Sequence, residues 1–284
     1  MGMCGLSIRA KAGGTWKVTK PHVKTSGTWK KVKRAYSKVG TSWNKTYDYE
    51  WVYTFANGVH TDVDVDTLAG IDKFHNVRIV IPSGATLVAS STGTYALQTG
   101  SGYTGILTIQ NSGKILGRGG NGGNGGFGYS YNEIANATNG TAGGTSVLIQ
   151  SAVTIINTGT IAGGGGGGGG GEGYVHVGTA YGGGGGGGGG SPYGSAGLGG
   201  STTHSGGNGA AGVLYGWGGG GGGGFDGTYV RGGTGGAGGA AGVSGQLGGE
   251  ITGDHSHVIE STRGSGGLYG ATYYNPSLFT ITQI

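Results

Sequence analysis

Few residues in this 284-residue chain have the types and spacing that chemistry needs. Asp254 and Glu260 are a pair of carboxylates of the kind acid–base work uses, but no pocket-forming residues surround them. His255 and His257 could clamp a metal on a strand face, yet no third placed ligand accompanies them. Asp62, Asp64 and Asp66 alternate with Val63 and Val65. A calcium loop would add a glycine and a distal Glu at fixed spacing. Both are missing, so a strand with carboxylates on its wet face is expected. Gly113-Lys114 is followed by Ile115, which breaks a P-loop, and G-x-G-x-x-G matches within 117–126 mean nothing in a glycine tract. The lone Cys4 excludes an intrachain disulfide and a cysteine-built metal site. The expectation is a protein that is not an enzyme, with no cofactor, no metal and no catalytic residues.

The side chains that do gather are aromatic and basic. Phe127, Tyr129, Tyr131, Tyr174, His176, Tyr181, His204, Phe225, Tyr229, Arg231, His255 and His257 lie in or beside five inserts, at 127–139, 172–181, 201–205, 225–231 and 250–263. Tyr-rich loops on a rigid frame offer large contact area with few rotatable bonds. The plainer reading is that these rings cap the ends of whatever holds the inserts and keep them dry.

What holds the inserts must be built from glycine, of which the chain has 78, several times the usual share. Glycine-rich segments run at about 117–126, 140–144, 162–171, 182–190, 194–200, 206–212, 216–224, 232–242, 245–249 and 264–270. Long inserts alternate with short connections such as 191–193 and 213–215, as expected of segments running up and down between two ends. From Gly117 onward there are too few large aliphatics for a conventional core. With only 10% charged residues, the chain also lacks the charge of a typical disordered protein.

A polyproline-II-like glycine segment has three residues per turn and no internal hydrogen bonds. Packed side by side, such segments can pair their sideways N–H and C=O groups, and only glycine allows so close an approach. Ordering a glycine backbone costs roughly 1–2 kcal/mol, and a net hydrogen bond returns about 1 kcal/mol, so the arrangement holds only as a bundle with added dispersion contacts. An interior segment must be nearly pure glycine, which fits 163–171, 182–190 and 218–224. An outer one carries substituents every third residue, as at Thr234, Ala237 and Ala240.

The remainder is read as β-rich. Residues 1–50 hold eleven Lys/Arg against two Asp/Glu. They repeat a unit at Gly14-Thr15-Trp16, Gly27-Thr28-Trp29 and Gly40-Thr41-Ser42-Trp43, expected as short strands or hairpins. No nucleic-acid fold signature accompanies this charge, so nucleic acid is not the expected partner. Thr108-Ile109-Gln110-Asn111-Ser112-Gly113 recurs as Thr154-Ile155-Ile156-Asn157-Thr158-Gly159, and each copy leads into glycines. Two equivalent strands are thus expected to launch glycine segments in parallel from one platform. The expected organisation is a basic Trp-Lys docking module at 1–48 and a β-rich connecting domain at 49–116 with strand 145–161. A polyglycine II helix bundle (about ten helices, loops at one end) follows at 117–270, then a C-terminal strand at 271–284, with essentially no α-helix.

The pattern from about Leu116 to Gly270 resembles the receptor-binding adhesins at the tips of the long tail fibres of T-even-like bacteriophages. The resemblance implies layered polyglycine II helices whose variable loops touch the host surface. It implies an outer-membrane protein or surface glycan as receptor and a tail-fibre shaft protein as virion partner; no membrane insertion is expected, because the longest apolar run is far short of the roughly 20 residues a membrane helix needs. It places the protein at the tail-fibre tip, made in the bacterial host cytoplasm. The N-terminus departs from the family: Trp16, Trp29 and Trp43 stand where an apolar attachment segment is expected, and are the candidate fibre-docking residues. A purely structural virion protein and, less favoured, an ice-binding polyglycine protein are the alternatives.

Overall fold

The computed structural model describes residues 9–12, 15–18, 22–130, 133–176, 180–225, 230–253, 258–274 and 279–283. The basic N-terminal repeats form three antiparallel hairpins: β1 (Arg9–Ala12) with β2 (Thr15–Val18), β3 (His22–Thr25) with β4 (Thr28–Lys31), and β5 (Arg34–Val39) with β6 (Ser42–Asp48). In the second hairpin the two turn residues, Ser26 and Gly27, both have positive φ (48° and 81°), the mirror-image turn whose twist suits a two-residue hairpin loop.

The chain then winds into a three-sided parallel solenoid. Its first turn is β7 (Glu50–Thr54), β8 (Gly58–Thr61) and β9 (Val63–Asp64); its second is β10 (Asn76–Ile81), β11 (Ala85–Val88) and β12 (Leu97–Gln98). The third begins with β13 (Leu107–Asn111) and β14 (Lys114–Leu116). It leaves for a distal hairpin, β15 (Phe127–Ser130) and β16 (Glu133–Ala135), and returns as β17 (Val147–Leu148). The fourth begins with β18 (Val153–Asn157) and β19 (Thr160–Ala162). It departs again through β20 (Tyr174–His176), β21 (Ala180–Gly182), β22 (Val230–Arg231), β23 (Thr252–Gly253) and β24 (Val258–Glu260), and returns as β25 (Tyr273–Tyr274). β26 (Phe279–Gln283) opens a fifth turn. The solenoid sheets are therefore β7-β10-β13-β18-β26, β8-β11-β14-β19 and β9-β12-β17-β25. Segment 271–284 holds two strands in two sheets rather than one strand, and 145–161 likewise spans β17, β18 and β19.

The internal repeat is one solenoid turn. Thr108 pairs with Thr154, Ile109 with Ile155 and Asn111 with Asn157, all in parallel. Inward positions stack into ladders such as Ile79, Ile109 and Ile155, all buried. The repeated asparagine turns the corner: buried Asn111 donates to the Asn157 side chain at 2.7 Å and accepts from Gly113 N at 3.1 Å. Stacked Trp51 and Tyr53, with Phe55 edge-on, line the first turn.

The Asp62–Asp66 stretch is not the regular strand that alternation suggests. Asp62 has φ of 47°, and Val65–Thr67 is a 3-10 turn capped by the Asp64 carboxylate. The carboxylates are engaged rather than wet. Asp62 accepts from Ser90 N and Thr94 Oγ1, at 2.8 and 2.9 Å. Asp66 accepts from Ser101 N and Tyr103 OH and pairs with Lys73.

The solenoid's departures carry ten extended runs without regular secondary structure: 117–126, 136–145, 163–173, 183–190, 194–201, 205–212, 217–224, 232–240, 244–251 and 261–271, here runs 1 to 10. Along their length their backbones bond to other runs, with each neighbour recurring every third residue, and at their ends they bond to connections such as Ser191, Pro192, His204 and Val243. In run 3, Gly167, Gly168 and Gly169 donate to Thr141 of run 2, Gly188 of run 4 and Gln246 of run 9, at 2.9, 2.8 and 2.9 Å. Gly170 then returns to run 2. The carbonyls of the same three residues accept from Gly267 of run 10, Gly123 of run 1 and Gly236 of run 8. Run 3 thus has six hydrogen-bonded neighbours. Run 4 also has six: it donates to runs 6, 1 and 8 and accepts from runs 7, 5 and 3.

The other eight runs close a ring around these two, and the pairings define three layers: 2–1–5, 10–3–4–6 and 9–8–7. Contact there is backbone to backbone. A Cβ on Gly187 would stand 2.1 Å from the Gly168 carbonyl oxygen.

Two expectations change. Run 7, pure glycine over 218–224, lies on the perimeter and bonds only to runs 4, 6 and 8. A Cβ on Gly219 or Gly222 would meet no atom within 4 Å, and nothing in the structure explains glycine at those two positions, whereas a Cβ on Gly218, Gly220, Gly221, Gly223 or Gly224 would strike a neighbouring carbonyl oxygen. Runs 2 and 10 extend beyond their glycines, to 136 and 261, because Asn and Thr at three-residue spacing serve the outer layer. Asn121 and Asn124 accept from Ser195 N and Leu198 N, Asn136 and Asn139 from Thr262 N and Ser265 N, and Asn208 from Gly199 N. These side chains replace the missing neighbour of a perimeter run, as buried or crowded N–H groups require.

Candidate functional site

Alternating direction decides where the inserts go. Runs 1 and 3 are parallel, with successive donors 120, 123 and 126 meeting 165, 168 and 171. Runs 1 and 2, and runs 3 and 4, are antiparallel. Odd runs therefore leave the solenoid and even runs return, and all five odd-to-even connections share the far end. The even-to-odd turns face the solenoid. There Tyr215 OH lies 3.1 Å from Thr86 Oγ1, Lys114 Nζ sits 3.7 Å from the centre of the Tyr215 ring, and Arg118 lies 5.2 Å from that of Tyr193. A cleft of about 270 Å³ at this seam is lined by Lys114, Leu116, Ser191, Leu214 and Tyr215.

At the far end a small cap supports the loops. β20 is flanked antiparallel by β21 and β24, and β22 pairs with β23. Tyr174, Val230 and Ile251 form a buried apolar cluster. Tyr174, expected among the contact residues, is instead fully buried and donates its hydroxyl to Val230 O at 3.0 Å. Gly182 must be bare for this ring, since a Cβ there would stand 1.9 Å from it. Glu172 accepts from Ile251 N at 3.0 Å and buried Ser261 from Gly173 N at 2.8 Å. Sequence reasoning missed both, because their partners lie 79 and 88 residues away.

Over this cap lie the side chains that remain accessible. Phe225 is half exposed, and the exposed Arg231 guanidinium lies 5.4 Å from its ring centre, within cation–π range. Tyr181 and His204 are half-buried neighbours: His204 N donates to Tyr181 O at 3.1 Å, as does Thr202 Oγ1 at 3.0 Å. Phe127 is half-buried on β15, which packs on β20 where Gly128 meets Val175. Tyr131, Tyr229, Asp254, His255 and His257 lie outside the described residues, as do the side chains of Trp16, Tyr129 and His176. Among the described residues no cluster of His, Cys, Asp or Glu could hold a metal ion, and no helix is long and apolar enough to cross a membrane.

The hairpins meet the solenoid at a charged joint. Lys33 pairs with Asp72 at 2.5 Å, and His75 Nδ1 lies 3.0 Å from the same carboxylate. Hydrogen bonds from Lys33 and then His75 hold the Asp72 carboxyl down at about 2. Arg34 bonds to Asp48 and to Phe74 O, and Lys31 lies over the Tyr49 ring. Trp29 and Trp43 are each 66% exposed, so their apolar surface is free of this joint.

A stiff backbone block that holds aromatic and cationic side chains on loops at one end defines a binding protein of the adhesin class. The match of residues 50–216 to the family model for the phage tail fibre adhesin Gp38 carries this further: the chain belongs to that family. It is a receptor-binding adhesin of the phage tail fibre. Its fold is similar to the crystal structure of the gp37–gp38 adhesin tip complex of the bacteriophage S16 long tail fibre. There, 25% of residues are identical, 85% of this chain and 79% of that chain are covered, and the TM-score is 0.50. Among curated proteins no sequence matches.

Proposed function

We propose that the five far-end loops form the receptor-binding surface, and that the ten runs are polyglycine II helices serving as its frame. Phe127, Tyr129, Tyr131, His176, Tyr181, His204, Phe225, Tyr229, Arg231, His255 and His257 supply contacts, with Tyr174 supporting them from below. The receptor is an outer-membrane protein or surface glycan of the bacterial host. The observation that carries this reading is the three-residue recurrence of hydrogen bonds from runs 3 and 4 to six neighbours each, which matches polyglycine II geometry.

The hairpins at 1–48 serve as the docking module. The solenoid at 49–116, 145–161 and 271–284 connects it to the bundle at 117–270. The S16 structure is a complex of gp38 with gp37; by that likeness the partner here is a tail-fibre shaft protein, and the chain sits at the fibre tip after synthesis in the host cytoplasm. Binding, not turnover, is the activity.

The test is a phage carrying this adhesin with its five inserts exchanged for those of a relative of different host range. Adsorption is expected to follow the inserts. Adsorption that stays with the original host would overturn the reading, provided the chimaera keeps its melting temperature.

A further inference from the structure

We infer that the loops meet a positively charged polypeptide surface, a receptor segment bearing lysine or arginine, rather than an anionic glycan. This names the receptor class within the reading above and rests on it. The observation is where the charges of the chain lie. Residues 1–50 hold eleven Lys/Arg against two Asp/Glu. The ten glycine-rich segments hold one charged residue, Arg118, at the solenoid end. After residue 118 every charged side chain falls in the five inserts: Glu133, Glu172, Asp226, Glu250, Asp254 and Glu260 against Arg231 and Arg263. Six carboxylates against two cations leave −4 at the far end of a chain whose overall charge is +5.

The basic end does not neutralise this charge. Run 3 holds nine successive glycines over 163–171, about 28 Å at a rise of 3.1 Å per residue. The Debye length at physiological salt is about 8 Å, so the loops act through their own charge. The two arginines there are already engaged. Arg263 Nη1 lies 2.7 Å from Glu250 Oε1, and the Arg231 guanidinium lies 5.4 Å from the centre of the Phe225 ring. Glu172 accepts from Ile251 N at 3.0 Å, a bond that leaves its charge uncancelled. Asp226 and Asp254 lie outside the described residues, and their part in the argument is their charge alone.

Complementary potentials steer encounter, and like charges brought face to face suppress the wrong partner. The charged groups of surface glycans are mostly phosphates and carboxylates, which a tip at −4 repels. Lysine and arginine on an exposed polypeptide segment are the complement. The aromatic side chains of the inserts favour the same choice, because a cation over a ring face is attracted to it. Phe225, half exposed, already holds Arg231 in that way. A receptor lysine or arginine thus finds both a carboxylate field and ring faces at this end, and an anionic sugar finds only the rings.

The adsorption rate of phage on intact host cells tests this. Asp226→Lys with Asp254→Lys brings the inserts from −4 to zero and should slow adsorption on the order of tenfold. Asp226→Asn with Asp254→Asn, which halves the charge, should fall between. Wild-type adsorption should slow as sodium chloride rises, and the lysine variant should respond less. Arg118→Gln, which changes the charge only at the solenoid end, should adsorb as wild type, and an unchanged melting temperature is the folding control for each. Protease treatment of the cells should abolish adsorption, and truncation of their surface glycan should not. Adsorption indifferent to salt and to both substitutions, or faster with them, overturns the inference. So does adsorption that survives the protease and is lost with the glycan. Exchange of the five inserts separates the two readings. Host range that follows the inserts whatever their charge keeps the loops as the binding surface and removes only the cationic receptor; host range that ignores the inserts removes both.

Discussion

Replacing Gly187 by alanine tests the backbone lattice where it is tightest. Gly187 lies in run 4, one of the two runs with six neighbours, and its Cβ would stand 2.1 Å from the Gly168 carbonyl oxygen. Ordinary contact begins near 3.4 Å, so runs 3 and 4 must separate by more than an ångström. That movement breaks the bond from Gly168 N to Gly188 O (2.8 Å). It strains those from Gly187 N to Gly123 O (2.7 Å) and from Gly197 N to Gly187 O (2.8 Å). Two to three bonds at about 1 kcal/mol each, plus about 1–3 kcal/mol of overpacking, give a loss of about 4 kcal/mol, or a fall of roughly 10 °C in melting temperature.

The control is Gly219→Ala in run 7, where the added methyl meets nothing within 4 Å and φ is not positive. Fewer unfolded conformations should make that variant more stable by about 0.4–1 kcal/mol. Thermal unfolding followed by circular dichroism reads both variants, and amide exchange across 183–190 reads the lattice without requiring reversibility. If Gly187→Ala melts with Gly219→Ala, or leaves exchange in run 4 unchanged, the runs are not packed backbone to backbone and the frame proposed for the loops is lost.

The perimeter and the charged joint give two further expectations. Asn124→Ala removes the acceptor of Leu198 N, which lies 2.9 Å away; it should cost about 1 kcal/mol and speed amide exchange at Leu198 while leaving the interior runs protected. Asp72 is held well below an ordinary carboxylate, at about 2. Its contribution is therefore present above the unfolded-state value, near 4, and is lost as pH falls through about 2. The wild type should lose melting temperature across that window, and Asp72→Asn should be less stable at neutral pH and flatter below it.

Much of this was legible in the sequence because the determinants are periodic. The repeat at Thr108 and Thr154 named a unit that stacks on itself, and its register is the one the parallel ladder adopts. The glycine segments and the two classes of connection gave the number of runs and the end at which the inserts gather. What stayed hidden depends on neighbours far along the chain. Run 7 is as pure in glycine as run 4, and composition cannot tell an interior run from a perimeter one. Tyr174 looks like its exposed companions until Val230 and Ile251 close over it. The Asp62–Asp66 alternation predicts that Val63 and Val65 lie inside, but not the 3-10 turn capped by Asp64 nor the hydrogen bonds that the Asp62 and Asp66 carboxylates accept from Ser90, Ser101 and Tyr103.

The two kinds of position do different work, and this suits the protein to changing partners. Along the two interior runs, cohesion resides in backbone groups that every residue carries, so sequence there is constrained by the absence of a side chain, while perimeter runs add Asn acceptors such as Asn121 and Asn124. In the loops, side chains outside the buried cap of Tyr174, Val230 and Ile251 are not held by the interior ladder. The boundary is sharp in β21, just before run 4: Gly182 must stay bare under the Tyr174 ring, while its neighbour Tyr181 holds its place through its carbonyl, which accepts from His204 N and Thr202 Oγ1. On the proposed binding surface, a change of ring at 181 would alter what the tip touches and leave those bonds intact. A change at 182 displaces the buried tyrosine and with it the bond to Val230 O. With the contact role proposed for Tyr181, specificity can drift one residue away from a position where drift is forbidden, because the lattice bonds the backbone of residue 181 and not its ring.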